Sequence, residues 1–68
     1  MKKYGENLKN ERVLRGISQE KLAKKIGVTQ QAISLYENNQ TEPTISVCVK
    51  MADFYGISID ELIGRDFP

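Results

Sequence analysis

A chain of 68 residues is expected to form one domain, spanning 1–68, and a domain this small buries only about 60% of its unfolded surface and gains from dimerisation. With one cysteine, Cys48, and no histidine, it can close no internal disulfide. It also lacks the commonest metal ligand and the commonest general base, so no metal, cofactor or small-molecule ligand is expected and enzymatic chemistry is disfavoured. The net charge of +1 joins two unlike halves: residues 1–30 hold eight Lys or Arg against three Asp or Glu, residues 31–68 two against six, leaving a basic half suited to phosphates.

Met1-Lys2-Lys3 is basic, but no apolar run follows before Leu8. No tract is long and apolar enough to span a bilayer either. Neither a secretory leader nor a membrane span is therefore expected, and the cytoplasm is the expected compartment. The first helix is predicted over about 4–15 and stops at Gly16. Ile17-Ser18 then opens a second helix over 18–26, which stops at Gly27. Val28-Thr29 opens a third over 29–38, and Asn39 can end it as glycine would. The longest connection, Asn39-Gln40-Thr41-Glu42-Pro43, leads to Thr44 and a fourth helix over 44–55, stopped by Gly56. Ile57-Ser58 opens the fifth over 58–63, before Gly64.

One pattern recurs at three of these starts: an apolar residue, a Ser or Thr, and an apolar residue four positions on. It appears as Ile17-Ser18 with Leu22, Val28-Thr29 with Ile33, and Ile57-Ser58 with Leu62. The hydroxyl caps unpaired N–H groups and the flanking apolar pair staples the entry. Ser58 and Glu61 complete a capping box. No strand alternation occurs, so the expected fold class is all-α, a compact five-helix domain.

Within it, QEKLAKKIGVTQQAISLYEN, Gln19–Asn38, places Leu22, Ile26, Val28, Ile33 and Tyr36 in one apolar set. Ala23 sits where two helices must approach closely and Gly27 sits in the turn between them. Two helices joined at a wide angle by a short Gly-containing turn form a helix-turn-helix. At about 100° per residue, Ala32, Ile33 and Tyr36 fall on the buried arc of the third helix. Gln30, Gln31, Ser34, Leu35 and Asn38 fall on the outward arc. That arc carries amides, a hydroxyl and one leucine, but no charge. A solvated face prefers Lys and Glu, whereas base edges call for directional donors, acceptors and an apolar group for a thymine methyl.

With these residues the chain resembles the lambdoid repressor/Cro-type, or XRE-like, helix-turn-helix family. The resemblance covers about 4–64 and rests on Arg12, Gly16-Ile17-Ser18-Gln19, Leu22-Ala23, Ile26-Gly27-Val28, Ile33, Tyr36-Glu37-Asn38, Pro43, Leu62 and Gly64. It implies that the helix from Thr29 is a recognition helix with Gln30, Gln31, Ser34 and Leu35 as base readers. It implies phosphate contacts from Gln19 and Thr29, and from the loop Asn38, Asn39, Gln40 and Thr41. It further implies a structural salt bridge between Arg12 and Glu37. The implied partner is double-stranded DNA, read by a homodimer that represses transcription from a palindromic operator.

Two departures stand out. Glu11 occupies a position often apolar in the family, and Val13 and Leu14 follow it, which allows the apolar stripe of the first helix to shift. The loop after the third helix carries no positive charge, so no minor-groove arginine is expected from it, and the salt dependence of binding should be shallower than for basic repressors.

Elsewhere, Asp60-Glu61 suits a helix N-terminus rather than catalysis. Cys48 is expected on an inward stripe with Ile45, Met51, Ala52 and Tyr55. Lys21, Lys24 and Lys25 lie on the polar side of the second helix, either meeting phosphates or simply hydrated. Ile59, Leu62, Ile63 and Phe67 are more apolar than a short terminal helix needs, which makes them the dimer candidates: half of them can serve the monomer core and the rest would pair with a second copy. The competing function is a protein-interaction module, antitoxin-like or polymerase-contacting, that uses the same uncharged face.

Overall fold

The computed structural model describes residues 4–64. Five helices follow in chain order: α1 (Tyr4–Leu14), α2 (Gln19–Ile26), α3 (Gln30–Glu37), α4 (Ile45–Tyr55) and α5 (Ile59–Ile63). Their starts obey the capping logic. Ser18, Thr29, Thr44 and Ser58 are extended N-caps whose hydroxyls accept from Lys21, Ala32, Val47 and Glu61 N–H, and Ser58 with Glu61 forms the capping box. Each such cap contributes about 1 kcal/mol.

The turn between α2 and α3 is Gly27-Val28-Thr29. Gly27 adopts φ 75°, which a β-carbon disfavours. This lets both the Gly27 and the Val28 N–H donate to the Ala23 carbonyl, at 2.9 and 3.0 Å. Val28 then folds back onto the core, and Thr29 starts α3 at once. The chain thus turns from one helix into the next within three residues.

Leu8, Leu22, Ile33, Met51 and Leu62 form the fully buried centre, and one of them comes from each helix. Every such side chain contributes about 1.5–3 kcal/mol relative to leaving it in water. α2 packs against α3 on one flank and α4 on another, while α1 packs against α3 and α5. α3 and α4 make no substantial contact.

Two expectations about apolar stripes need correction. The stripe of α1 is not shifted: Val13 and Leu14 are 55% and 79% exposed. The buried line runs Tyr4, Leu8, Arg12 at four-residue spacing, because Arg12 must reach an acidic partner in the interior. Ile45 is not on the inward face of α4 either. It is 81% exposed, and the inward set is Val47, Met51 and Ala52, with Cys48 and Tyr55 half-buried beside them. Ile45 lies on the side of α4 turned away from α2 and α5, against which α4 packs.

Of the four dimer candidates, Leu62 falls on the core side. It has no exposed surface and belongs to the monomer core, so it is not available to a second copy. Ile63 is half-buried against the core, and Ile59 is exposed. Phe67 lies outside the described residues.

Candidate nucleic-acid interface

The site is built on a helix held at both ends. At its start, the Thr29 hydroxyl caps α3 by accepting from Ala32 N–H at 3.0 Å. At its end, Glu37 is buried and clamped by three donors. Arg12 Nε donates to Glu37 Oε2 at 2.7 Å and Arg12 Nη2 to Oε1 at 3.0 Å. Gln19 Nε2 donates to the same Oε1 at 3.0 Å. Arg12 also donates through Nη1 to the Ile17 carbonyl at 2.7 Å. One carboxylate thereby ties the last residue of α3 to α1, to the α1–α2 turn and to the first residue of α2. The Glu37 hydrogen bonds raise the Arg12 guanidinium pKa above its ordinary value, against the opposing effect of burial.

A second tie was not visible in the sequence. Asn39 adopts φ 59° directly after α3, and its Oδ1 accepts from Gly5 N–H at 3.0 Å. Gly5 is buried in α1, where a β-carbon would come within 2.5 Å of the Glu37 carbonyl and 2.7 Å of the Tyr36 carbonyl. A glycine inside a helix costs about 1 kcal/mol relative to alanine. Its presence in YGENLKNERVL was the one available signal that two backbones meet there.

Between these ties, α3 shows solvent the residues expected of it. Gln30 and Gln31 are exposed side by side, Ser34 is half-buried and Leu35 is 37% exposed. Ile33 and Tyr36 point inward, and no residue from Ile26 to Tyr36 is charged. Neighbouring outward side chains in the first two turns of a firmly packed helix form a rigid row of polar groups with one apolar member. Such a row can be laid into a major groove.

The expected phosphate-contacting residues divide into two groups. Four are already engaged within the fold: Gln19 with Glu37, Thr29 as the acceptor for Ala32 N–H, Asn39 with Gly5, and Asn38, whose Nδ2 donates to the Ser34 carbonyl at 2.8 Å. Gln40 and Thr41 are exposed. The loop's own N–H groups are spent on α3: Asn38 N–H donates to Ser34, Asn39 N–H to Tyr36, and Gln40 and Thr41 N–H to the Leu35 carbonyl. Anything this loop offers to a phosphate therefore comes from its side chains. Lys21, Lys24 and Lys25 are exposed along α2.

Around the clamp lies a further group of side chains. Arg15 stands over the Tyr55 ring at 4.3 Å and donates to Glu11 at 2.7 Å. The Tyr55 hydroxyl is buried without a hydrogen-bond partner among the described residues, and burial pushes its pKa up to about 12. Burial likewise raises the Cys48 thiol. Among the described residues, no cluster of His, Cys, Asp and Glu could hold a metal ion, and no helix is long and apolar enough to cross a membrane.

The chain is similar to known proteins in sequence and in fold. The chain matches the Helix-turn-helix family over residues 8–62. It is 38% identical over 55 residues to an uncharacterized HTH-type transcriptional regulator of Methanocaldococcus jannaschii, covering 81% of this chain and 83% of that protein. It is 40% identical over 63 residues to the cryptic phage CTXphi transcriptional repressor RstR of Vibrio cholerae, covering 93% of this chain but only 56% of that repressor. Among solved structures it superposes on the P22 c2 repressor in complex with a synthetic operator. The TM-score is 0.86 at 30% identity, covering 97% of this chain and 100% of that one.

Proposed function

This chain belongs to the helix-turn-helix family, of the repressor/Cro type, and on that premise we propose that it is a sequence-specific DNA-binding regulator of transcription that reads its site with the outward face of α3. The carrying observation is the uncharged row Gln30, Gln31, Ser34 and Leu35 on a helix fixed at both ends. An amide can bond an adenine edge through two atoms, contributing about 1–3 kcal/mol of discrimination, and Leu35 offers contact to a thymine methyl. Gln40, Thr41 and the Thr29 hydroxyl meet phosphates from either end of the helix. Gln19 reaches a phosphate through the amide hydrogen that Glu37 does not use. The protein acts as a non-enzymatic repressor in the cytoplasm, and it needs no cofactor.

Two copies would present two α3 helices about 34 Å apart, one turn of B-DNA, so the operator is expected to be palindromic. Ile59 and Ile63 remain the interface candidates within the described residues, with Leu62 excluded by its burial.

The test is selection from a random duplex pool at near-physiological salt, followed by sequencing of the bound fraction. A two-fold symmetric motif with half-sites one helical turn apart is the expected result. Gln30→Ala and Gln31→Ala should each change the preferred base under one position of each half-site while leaving the melting temperature in place. Retention of DNA only at low salt with no motif would leave mere phosphate attraction and overturn the reading in favour of a protein partner for α3.

A further inference from the structure

α2 carries a second surface on the flank it turns toward α4. There the end of α2 and the last turns of α4 border an open groove of ≈ 640 Å³, with Lys24, Lys25 and Lys50 at its rim and Ile26, Asp53 and Phe54 completing its walls. Three ammonium groups face one carboxylate. None of the four forms an ion pair among the described residues, where the charge pairs are Arg12–Glu37 and Arg15–Glu11. The local excess of positive charge is therefore uncompensated.

The groove also has an apolar anchor point. Phe54 is 41% exposed. Its ring lies beside that of half-buried Tyr55, at a centroid distance of 5.5 Å and a tilt of 44°. Among the described residues the cation found over an aromatic ring is Arg15 on Tyr55, and no lysine covers Phe54. An exposed aromatic held in place beside unpaired cations loses little freedom when a ligand arrives. Gly27 of the α2–α3 turn borders the groove, but no residue of α3 lines it, so the groove is separate from the proposed reading face.

We propose that this groove docks an acidic peptide segment of another protein, its carboxylates meeting Lys24, Lys25 and Lys50 and one apolar side chain resting against Phe54. Charge complementarity selects the acidic side chains of such a segment. The aromatic anchor selects a peptide over duplex DNA, whose bases are paired and stacked inside and leave only sugar and phosphate to face that ring. A regulator built this way would hold DNA on one flank of α2 and a protein on the other.

The probe is a blocked pentapeptide of four glutamates around a central leucine, titrated into the 15N-labelled full chain with and without duplex DNA. Amide shifts are expected to saturate and to be confined to 24–27 and 50–54, with the same affinity when DNA is bound. The Lys24→Gln/Lys50→Gln variant, altered only at exposed side chains, should weaken binding about threefold to tenfold. Replacing the central leucine by glycine should weaken it further, as should Phe54→Ser in protein whose amide spectrum shows it still folded. The proposal is overturned by an absence of saturable shifts, or by equal binding of the glycine peptide. It is also overturned if duplex DNA displaces the peptide, which would assign the groove to phosphates, or if shifts spread to α5 with rising protein concentration, which would assign it to self-association. Failure of the random-pool selection would leave this result unaffected.

Discussion

Replacing Arg12 with alanine removes three hydrogen bonds at once and strands a charge. Glu37, whose side chain is only 4% exposed, would keep the single Gln19 donor, and the Ile17 carbonyl would lose its side-chain donor. Breaking a buried pair from one side costs about 3–5 kcal/mol. A domain of this length, at about 0.05–0.15 kcal/mol per residue, has a total stability of about 3–10 kcal/mol. Arg12→Ala is therefore expected to lose half or more of the stability and to be partly unfolded at 37 °C. Urea denaturation followed by circular dichroism at 25 °C measures this directly. A DNA titration alone would record the same variant as a lost contact, although Arg12 faces the interior. The companion variant Arg12→Met/Glu37→Met leaves no buried charge and should recover most of the loss. A decrease below about 1 kcal/mol for Arg12→Ala would place the pair among ordinary surface ion pairs and refute the clamp.

Gly5→Ala should destabilise by about 1–3 kcal/mol in the same denaturation assay despite alanine's better helix propensity, because the new methyl group has to displace two backbone carbonyls. Asn39→Gly should cost less than Asn39→Ala. Both lose the bond to Gly5, but glycine accepts the positive φ that alanine resists, so equal losses would argue against the strained turn. Tyr55→Phe should leave neutral-pH stability unchanged or raise it by up to about 1 kcal/mol, since the hydroxyl it removes is buried and unpartnered. The parent protein's stability should fall as pH rises from 10 toward 12. In that window the unfolded tyrosine ionises while the folded one, with its pKa raised to about 12, still holds its proton, and the unfolded state binds fewer protons. This fall should be smaller in Tyr55→Phe when thermal melts are compared across that range.

Local signals in this chain were strong, and long-range ones were weak. Ser18, Thr29, Thr44 and Ser58 announced their helices because a cap acts within three residues of itself. The outward and inward arcs of α3 followed from helical period alone. Arg12 opposite Glu37 became legible only through family resemblance, as no rule of spacing links positions so far apart in the chain. The Gly5–Asn39 tie was missed for the same reason. Ile45 and Leu14 were misjudged because apolar character marks residues that can be buried, and only the reach of the neighbouring helices decides which are. Sequence left Leu62 undivided from its neighbours between core and interface, since its place at the very centre of the core depends on how α5 folds back over α1 and α4.

The anchoring of α3 has a consequence for how the protein can change. Its position is set by Ile33 and Tyr36 inside, by the Thr29 hydroxyl at one end, and by Glu37 with Asn39 at the other. Gln30, Gln31 and Leu35 form no hydrogen bond through their side chains among the described residues. Substitutions at those positions are nearly free of folding cost, whereas the scaffold beneath them tolerates few. Descendants of such a sequence can drift from one target to another by altering a handful of outward side chains, each intermediate still folding as well as its parent.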